Sequence, residues 1–328
     1  MALLIVVIAV ALAFDFTNGF HDSANAIACS ISTRALSPRF ALLMAAGFNM
    51  LGAFAGQKVA QTVGKGIVML PADSQTVVLA ALVGAIAWNL ITWYFGIPSS
   101  SSHALIGGLV GATLVAVGTS GVEWSGLWHK VIIPMVSSPV IGLLVAFCLM
   151  NALLLLVFRW APHPVNRTFR RLQPFSSGAV AFAHGSNDAQ KTMGVITLAL
   201  ITSGHLAPNA AIPTWVIVLA ATSMAFGTYS GGRRIIKTLG QKVVHLDPIH
   251  GFAADTSSAA VIYTAAHFGF PISTTQSITA SIMGAGATRG LSSVKWSVAG
   301  SIVWAWVLTL PAAGLMGAGA YALIHLIH

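Results

Sequence analysis

Only seven acidic and sixteen basic residues are spread over 328 positions. That scarcity of charge limits the fold more than any other feature of the chain. Charged residues make up 7% of the sequence and hydrophobic ones 56%, whereas an ordinary soluble domain carries roughly 25% charged residues. So few charges cannot keep a large surface in water. Several apolar runs approach the ~20 residues that a membrane-spanning helix needs. The expectation is an all-α integral membrane protein with the lipid bilayer as its solvent. The net charge of +9 does not make nucleic acid a partner. The basic residues fall between apolar runs, where topology accounts for them. Cys29 and Cys148 lie inside apolar runs and read as small buried side chains. The run from Met1 to Phe14 lacks a basic lead and a small-residue cleavage end. It reads as part of the first membrane helix rather than a signal peptide.

Apolar segments fall at about 2–32, 40–60, 76–97, 102–118, 131–158, 175–203, 212–232, 250–268, 276–288 and 296–325. Most are long and free of charge, so they read as helices. Two short ones, 102–118 and 276–288, each follow a polar tract: G-I-P-S-S-S-S-H (Gly96 to His103) and G-F-P-I-S-T-T-Q (Gly269 to Gln276). Proline cannot continue a donor ladder, and Ser or Thr beside it makes a good N-cap. Each tract reads as the break inside a re-entrant helical hairpin, with the second half-helix starting at the hydroxyls. The other reading of a single such tract is a loop at the membrane surface. Non-helical backbone at membrane depth is tolerated only where it is buried in protein or lines a cavity.

The tracts belong to a longer repetition. Gly19 to Asp22 lines up with Gly185 to Asp188 at a shift of 166 residues, Gly56 to Val68 with Gly232 to Val244 at 176, and Gly96 to His103 with Gly269 to Gln276 at 173. Three motifs in one order at nearly constant spacing indicate a tandem duplication. The expected organisation is a first membrane repeat at 1–158, a cytoplasmic linker at 159–174 and a second membrane repeat at 175–328. The linker holds Arg159, Arg167, Arg170 and Arg171, which places it in the cytoplasm. Three net crossings per half then put both termini outside the cytoplasm. Arg34, Arg39, Arg233, Arg234, Lys237, Lys242, Arg289 and Lys295 fall inside, and only Lys58, Lys65 and Lys130 outside. An odd number of crossings makes the halves an inverted-topology repeat, as in many secondary transporters.

Asp15, Asp22, Asp188 and Asp255 lie within or at the ends of apolar segments. Carboxylates at membrane depth face the protein interior and often mark ion paths. Asp22 and Asp188 are counterparts in the repeat. Around them stand Asn18, His21 and Asn25 in one copy, and His184, Asn187, Gln190 and Lys191 in the other. A glycine three residues before each Asp suits a locally unwound helix whose oxygens bind a hard cation such as sodium. The plainer reading is a packing glycine beside a helix-capping Asp. The half-helix N-termini offer unpaired N–H groups and positive dipole ends. With hydroxyls from Ser99 to Ser102 opposed by Ser273, Thr274 and Thr275, they would hold a small oxyanion. Cations at Asp22 and Asp188, helped by Lys191, would balance it, and mutual dependence of the two ions is the condition for symport. A Ser-His-Asp hydrolase is disfavoured because His103 is matched by Gln276. A passive anion channel is disfavoured by the buried carboxylates.

At these residues the chain resembles the PiT family of inorganic phosphate transporters. The shared motifs stand here as G-F-H-D-S-A-N-A (Gly19 to Ala26), G-S-N-D-A-Q-K-T (Gly185 to Thr192), P-S-S-S-S-H (Pro98 to His103) and P-I-S-T-T-Q (Pro271 to Gln276). The resemblance implies an inverted-repeat transporter that is not an enzyme and has no cofactor. It would couple inorganic phosphate to sodium or protons in the cell membrane, as a homodimer. By motif position, phosphate binding falls to Ser100, Ser101, Ser102, Ser273, Thr274 and Thr275, with Asn25 and Lys191 beside them. Cation binding falls to Asp22, Asp188, Asn25 and Asn187, the two carboxylates being the sodium ligands. His21, Lys191 and Gln276 depart from the family pattern, which leaves the coupling ion open. Metal-phosphate complexes and sulfate remain alternative cargoes.

Overall fold

The computed structural model describes the chain except residues 232–234, 237, 240–242 and 328. Arg233, Arg234, Lys237, Lys242 and much of the second copy of the Gly56 to Val68 motif therefore lie outside the described residues. The described residues form helices and no strand. One isolated bridge pairs Val68 with Val122.

The helices, in chain order, are α1 (Ala2–Ser32), α2 (Pro38–Ala53), α3 (Lys58–Lys65), α4 (Gln75–Phe95), α5 (Ser101–Ala116) and α6 (Trp124–Leu156), the last with a π-helical turn at Trp128–Ile132. After them come α7 (Pro162–Thr202), α8 (Thr214–Ser230), α9 (Pro248–Phe268), α10 (Thr274–Ala287) and α11 (Trp296–Ile327). By length and composition α1, α4, α6 and α11 can each cross a membrane, and α2 with α3, bent by 72° between them, makes a broken fifth span. Only 17% of the most apolar window of α6 and 28% of that of α11 is buried. The outward residues include Leu144, Leu155, Trp304, Leu308 and Leu315. A surface this apolar belongs in lipid, and the chain is a multi-pass membrane protein.

Both Pro-hydroxyl tracts break the backbone in the same way. Gly96 (φ 67°) ends α4 and Gly269 (φ 78°) ends α9, each in the left-handed conformation that a side chain disfavours. After the proline, Ser100 and Ser273 cap the next helices, their hydroxyls accepting from His103 N and Gln276 N, each at 3.2 Å.

The motif glycines behave differently from the expectation of local unwinding. α1 runs unbroken through Gly19 and Asp22, and α7 through Gly185 and Asp188. A Cβ on Gly19 would stand 2.9 Å from Thr228 N of α8, and one on Gly185 would stand 2.8 Å from Asn49 Cα of α2. These glycines allow two helices to touch backbone to backbone, which is the packing reading. Residues 162–174, expected as a linker, form the start of α7, a helix of 41 residues. Cys29 is buried as expected, but Cys148 is exposed on α6.

The apolar core is divided. One cluster joins Leu4 to Phe14 of α1, Met193 to Leu200 of α7, and residues of α3, α4, α5, α8 and α11. Another joins Ala24, Ala28 and Cys29 of α1, Val165 and Phe169 of α7, and residues of α6, α9 and α10, and a smaller one joins Ala26 and Ile27 of α1 to α2, α7 and α9. Between them, the middles of α1 and α7 are buried but polar. The two broken tracts end there.

Candidate functional site

α1 and α7 each bring a column of polar side chains to this middle layer. Asp22 and Asp188, 166 residues apart in sequence, converge there. Oxygens of Asp22 and Asp188 and a ring nitrogen of His184 all lie within 4.8 Å of one another, and all three residues are buried. The repeat pointed to two carboxylate sites. The structure brings both carboxylates to one centre.

The caps of α5 and α10 face this centre from two sides. Ser101 donates to Asp22 Oδ2 (3.0 Å), Thr275 to Asp22 Oδ1 (3.4 Å), and Thr274 to Asp188 Oδ2 (3.5 Å). Asn25 Nδ2 donates to Thr275 Oγ1 (3.0 Å) and Thr274 Oγ1 (3.3 Å). Lys191, the sequence counterpart of Asn25, donates to Asp188 Oδ1 (2.6 Å), to the Ile272 carbonyl (2.9 Å) and to the Ser102 hydroxyl. Its three ammonium protons have three acceptors. The pairing is crossed: Asn25 reaches the second tract, and Lys191 reaches the first as well as the second. His103 Nδ1 and its counterpart Gln276 Nε2 lie 3.5 Å apart, so the two tracts meet.

The predicted site residues therefore assemble, with two distinctions. Ser100 and Ser273 commit their oxygens as helix caps, while Ser101, Ser102, Thr274 and Thr275 reach the carboxylates or Lys191. Asn187 sits at the edge, with Nδ2 on the Phe270 carbonyl (3.0 Å), but its Oδ1 has no partner. Asn25 Oδ1 is likewise unpartnered. Two carbonyl oxygens and two carboxylates in a buried layer form a donor set suited to a hard cation. The first-turn N–H groups of α5 and α10 suit an oxyanion.

Two histidines given no role from sequence belong to the centre. His21 Nδ1 lies 2.5 Å from Asp22 Oδ1, with Nε2 3.2 Å from Thr92 Oγ1. His184 is set by a relay. Thr228 donates to the Met224 carbonyl (2.9 Å) and accepts from Asn49 Nδ2 (2.8 Å). That turns Asn49 Oδ1 toward His184 Nδ1 at 3.1 Å. Nδ1 must then carry a proton, and Nε2 faces Asp188 Oδ2 at 3.4 Å. The spacing of His184 and Asp188, one helical turn apart, was the available signal. Asn49 and Thr228 gave none.

Known proteins resemble the chain along nearly its whole length. The phosphate transporter family matches residues 18–317. A probable low-affinity inorganic phosphate transporter of Mycobacterium tuberculosis (strain ATCC 25618 / H37Rv) is 51% identical over 99% of this chain and 78% of its own. One of Bacillus subtilis (strain 168) is 44% identical over 100% of this chain and 98% of its own. A solved structure described as the sodium-dependent phosphate transporter superposes with a TM-score of 0.93 at 27% identity, covering 100% of both chains.

Proposed function

The chain belongs to the phosphate transporter family, and from that premise we propose that it is a symporter coupling inorganic phosphate to a cation gradient. It is a transporter, not an enzyme. One observation carries the coupling: Asp22 and Asp188 share the centre on which the hydroxyls of both tracts converge. Without a cation, two carboxylates repel phosphate from the helix N-termini. With a cation between them, the same place attracts it. Each ion raises the affinity for the other, and linkage requires the effect to be reciprocal.

In this reading phosphate lies at the starts of α5 and α10, held by Ser101, Ser102, Thr274, Thr275 and the capped N-termini, with Asn25 and Lys191 beside it. The cation lies at Asp22 and Asp188, with Asn25 Oδ1 and Asn187 Oδ1 as further ligands. The halves are inverted repeats, α4–α5 and α9–α10 are re-entrant hairpins, and exchange between the two sides of the membrane occurs by alternating access. The linker is cytoplasmic, both termini are extracytoplasmic, and the assembly is a homodimer. Sodium coupling is supported by the solved structure's description as sodium-dependent. A second reading has an observation of its own. A nitrogen ligand, His184 Nε2, beside two carboxylates suits a divalent or transition metal better than sodium. The cargo would then be a metal–phosphate complex.

Purified protein in proteoliposomes tests these readings. Radiolabelled phosphate uptake is measured under a sodium gradient, a proton gradient, or with a divalent metal and neither gradient. Uptake that follows one gradient and resists excess sulfate is expected. Uptake that ignores both gradients and needs the metal would favour the complex. Flux indifferent to all three would mean a passive channel, and strong sulfate competition would move the cargo to sulfate.

A further inference from the structure

A groove opens toward lipid between α2, α7 and α9. Its volume is about 730 Å³, and its walls are apolar: Phe40 and Phe48 of α2, Phe175, Ala179 and Phe182 of α7, and Tyr263 of α9. The α7 residues follow one another at spacings of four and three, so they form one stripe. At one end the rings of Phe182 and Tyr263 meet across the groove, their centroids 6.0 Å apart. At the other end Phe175 is 77% exposed. From Phe175 to Phe182 is about 10 Å along the helix. A spanning helix of a second copy would need a face about 30 Å long, whereas an acyl chain need only reach through one leaflet, roughly half of that.

The open end is basic. Arg171 continues the α7 stripe one turn before Phe175, and Arg167 stands a further turn out. Arg170 lies beside Arg171, and Arg39 precedes Phe40 in the first turn of α2. Contacts between the two helices advance together, Phe48 with Gly178, Asn49 with Gly185 and Gly56 with Gln190. The helices therefore run the same way, and their basic starts lie at one end. All four arginines are exposed. None forms an ion pair with a described residue, and the one exposed pair among those residues joins Arg289 to Asp247. Guanidinium groups there suit a headgroup phosphate, which accepts their paired N–H donors. A zwitterionic headgroup carries its own cation and cancels much of that attraction, and a net-negative one does not.

We propose that this groove binds an anionic phospholipid. One acyl chain runs along Phe175, Ala179 and Phe182, and Arg39 and Arg171 hold the headgroup phosphate, with Arg167 and Arg170 adding positive potential. Under the proposed orientation the lipid comes from the cytoplasmic leaflet, where anionic headgroups attract basic segments next to the membrane. None of these residues belongs to the transport centre. A chain seated here braces α2 against α7, the pair that brings Asn49 to His184.

The test is native mass spectrometry of the full-length protein in detergent. The probes are phosphatidylglycerol and phosphatidylcholine with matched acyl chains, and melting temperature is followed in the same mixtures. Wild type should prefer phosphatidylglycerol by about 25-fold, at roughly fivefold for each headgroup arginine, and should gain melting temperature from it. Arg39→Gln/Arg171→Gln should abolish the preference and the thermal gain while leaving phosphatidylcholine binding unchanged. Ala179→Trp fills the groove with the arginines intact and should also remove the thermal gain. Equal affinity for the two lipids in wild type, or a preference that survives in the arginine variant, overturns the proposal. The same spectra count protein copies. A dimer that Ala179→Trp splits while the lipid preference persists would assign the groove to a second copy, and that also overturns it. If Ala179→Trp does not insert, the arginine variant decides alone.

Discussion

The two copies of the polar motif meet at one centre but do different work there. Asn25 is a neutral donor that binds the hydroxyls of the second tract. Its counterpart Lys191 is a cation that binds Asp188 and spans both tracts. Asp22 accepts from Ser101, Thr275 and His21, while the Lys191 ammonium donates to Asp188 rather than to it. Asp188 has a fixed counter-charge, whereas Asp22 has only neutral or titratable partners. In the proposed symport reading, the second half has its cation built into the chain and the first half takes one from solution. On that reading the exchangeable cation has a preferred side of the centre.

Three changes would break or sharpen this comparison, from the largest expected effect to the smallest. Asp22→Asn should reduce cation-coupled uptake about 100-fold, near the upper end of typical coupling energies, if Asp22 holds the exchangeable ion as proposed. Asp188→Asn should fall as far but also leave Lys191 without its partner. Its melting temperature in detergent should therefore drop more than that of Asp22→Asn. Full uptake in either variant would remove that residue from the cation site. Lys191→Asn makes the second copy resemble the first and removes the built-in charge. Phosphate affinity should weaken by about 1.5–3 kcal/mol, the worth of a charged hydrogen bond, and the cation requirement should rise. An unchanged cation requirement would contradict the asymmetry. At the small end, Ser100→Ala and Ser273→Ala each remove an N-cap and should each cost about 1 kcal/mol of stability. Equal losses would show that the scaffold is matched where the charges are not, and unequal losses would extend the asymmetry to the tracts themselves.

Much of this was legible in the residues. The hydroxyl tracts stood out because proline and left-handed glycine leave a local signature, and Ser100 and Ser273 cap the helices expected after them. Asp22, Asp188 and Lys191 stood out because charge is rare in so apolar a chain. What sequence left hidden was long-range. The meeting of Asp22 with Asp188 depends on helix crossing, which a repeat offset does not specify. The proton on His184 Nδ1 depends on Asn49 and Thr228, which are ordinary residues in apolar helices with no motif around them. The glycines before each Asp were ambiguous, since unwinding and close packing ask for the same residue. Only the neighbouring backbones of α2 and α8 decide between them.

The crossed contacts of Asn25 and Lys191 also bear on how such a chain can evolve. If a half-length ancestor once paired with a second copy of itself, the two copies were interchangeable, and every change at the centre occurred twice. Joining them in one gene released each position from its twin. At the centre, a pair of first halves would now place two copies of Asp22 and no ammonium, and a pair of second halves two Lys191 ammonium groups and two opposed Gln276 side chains. Neither would rebuild the present centre, so with Lys191 standing where Asn25 has its counterpart, two identical halves could no longer replace the single chain.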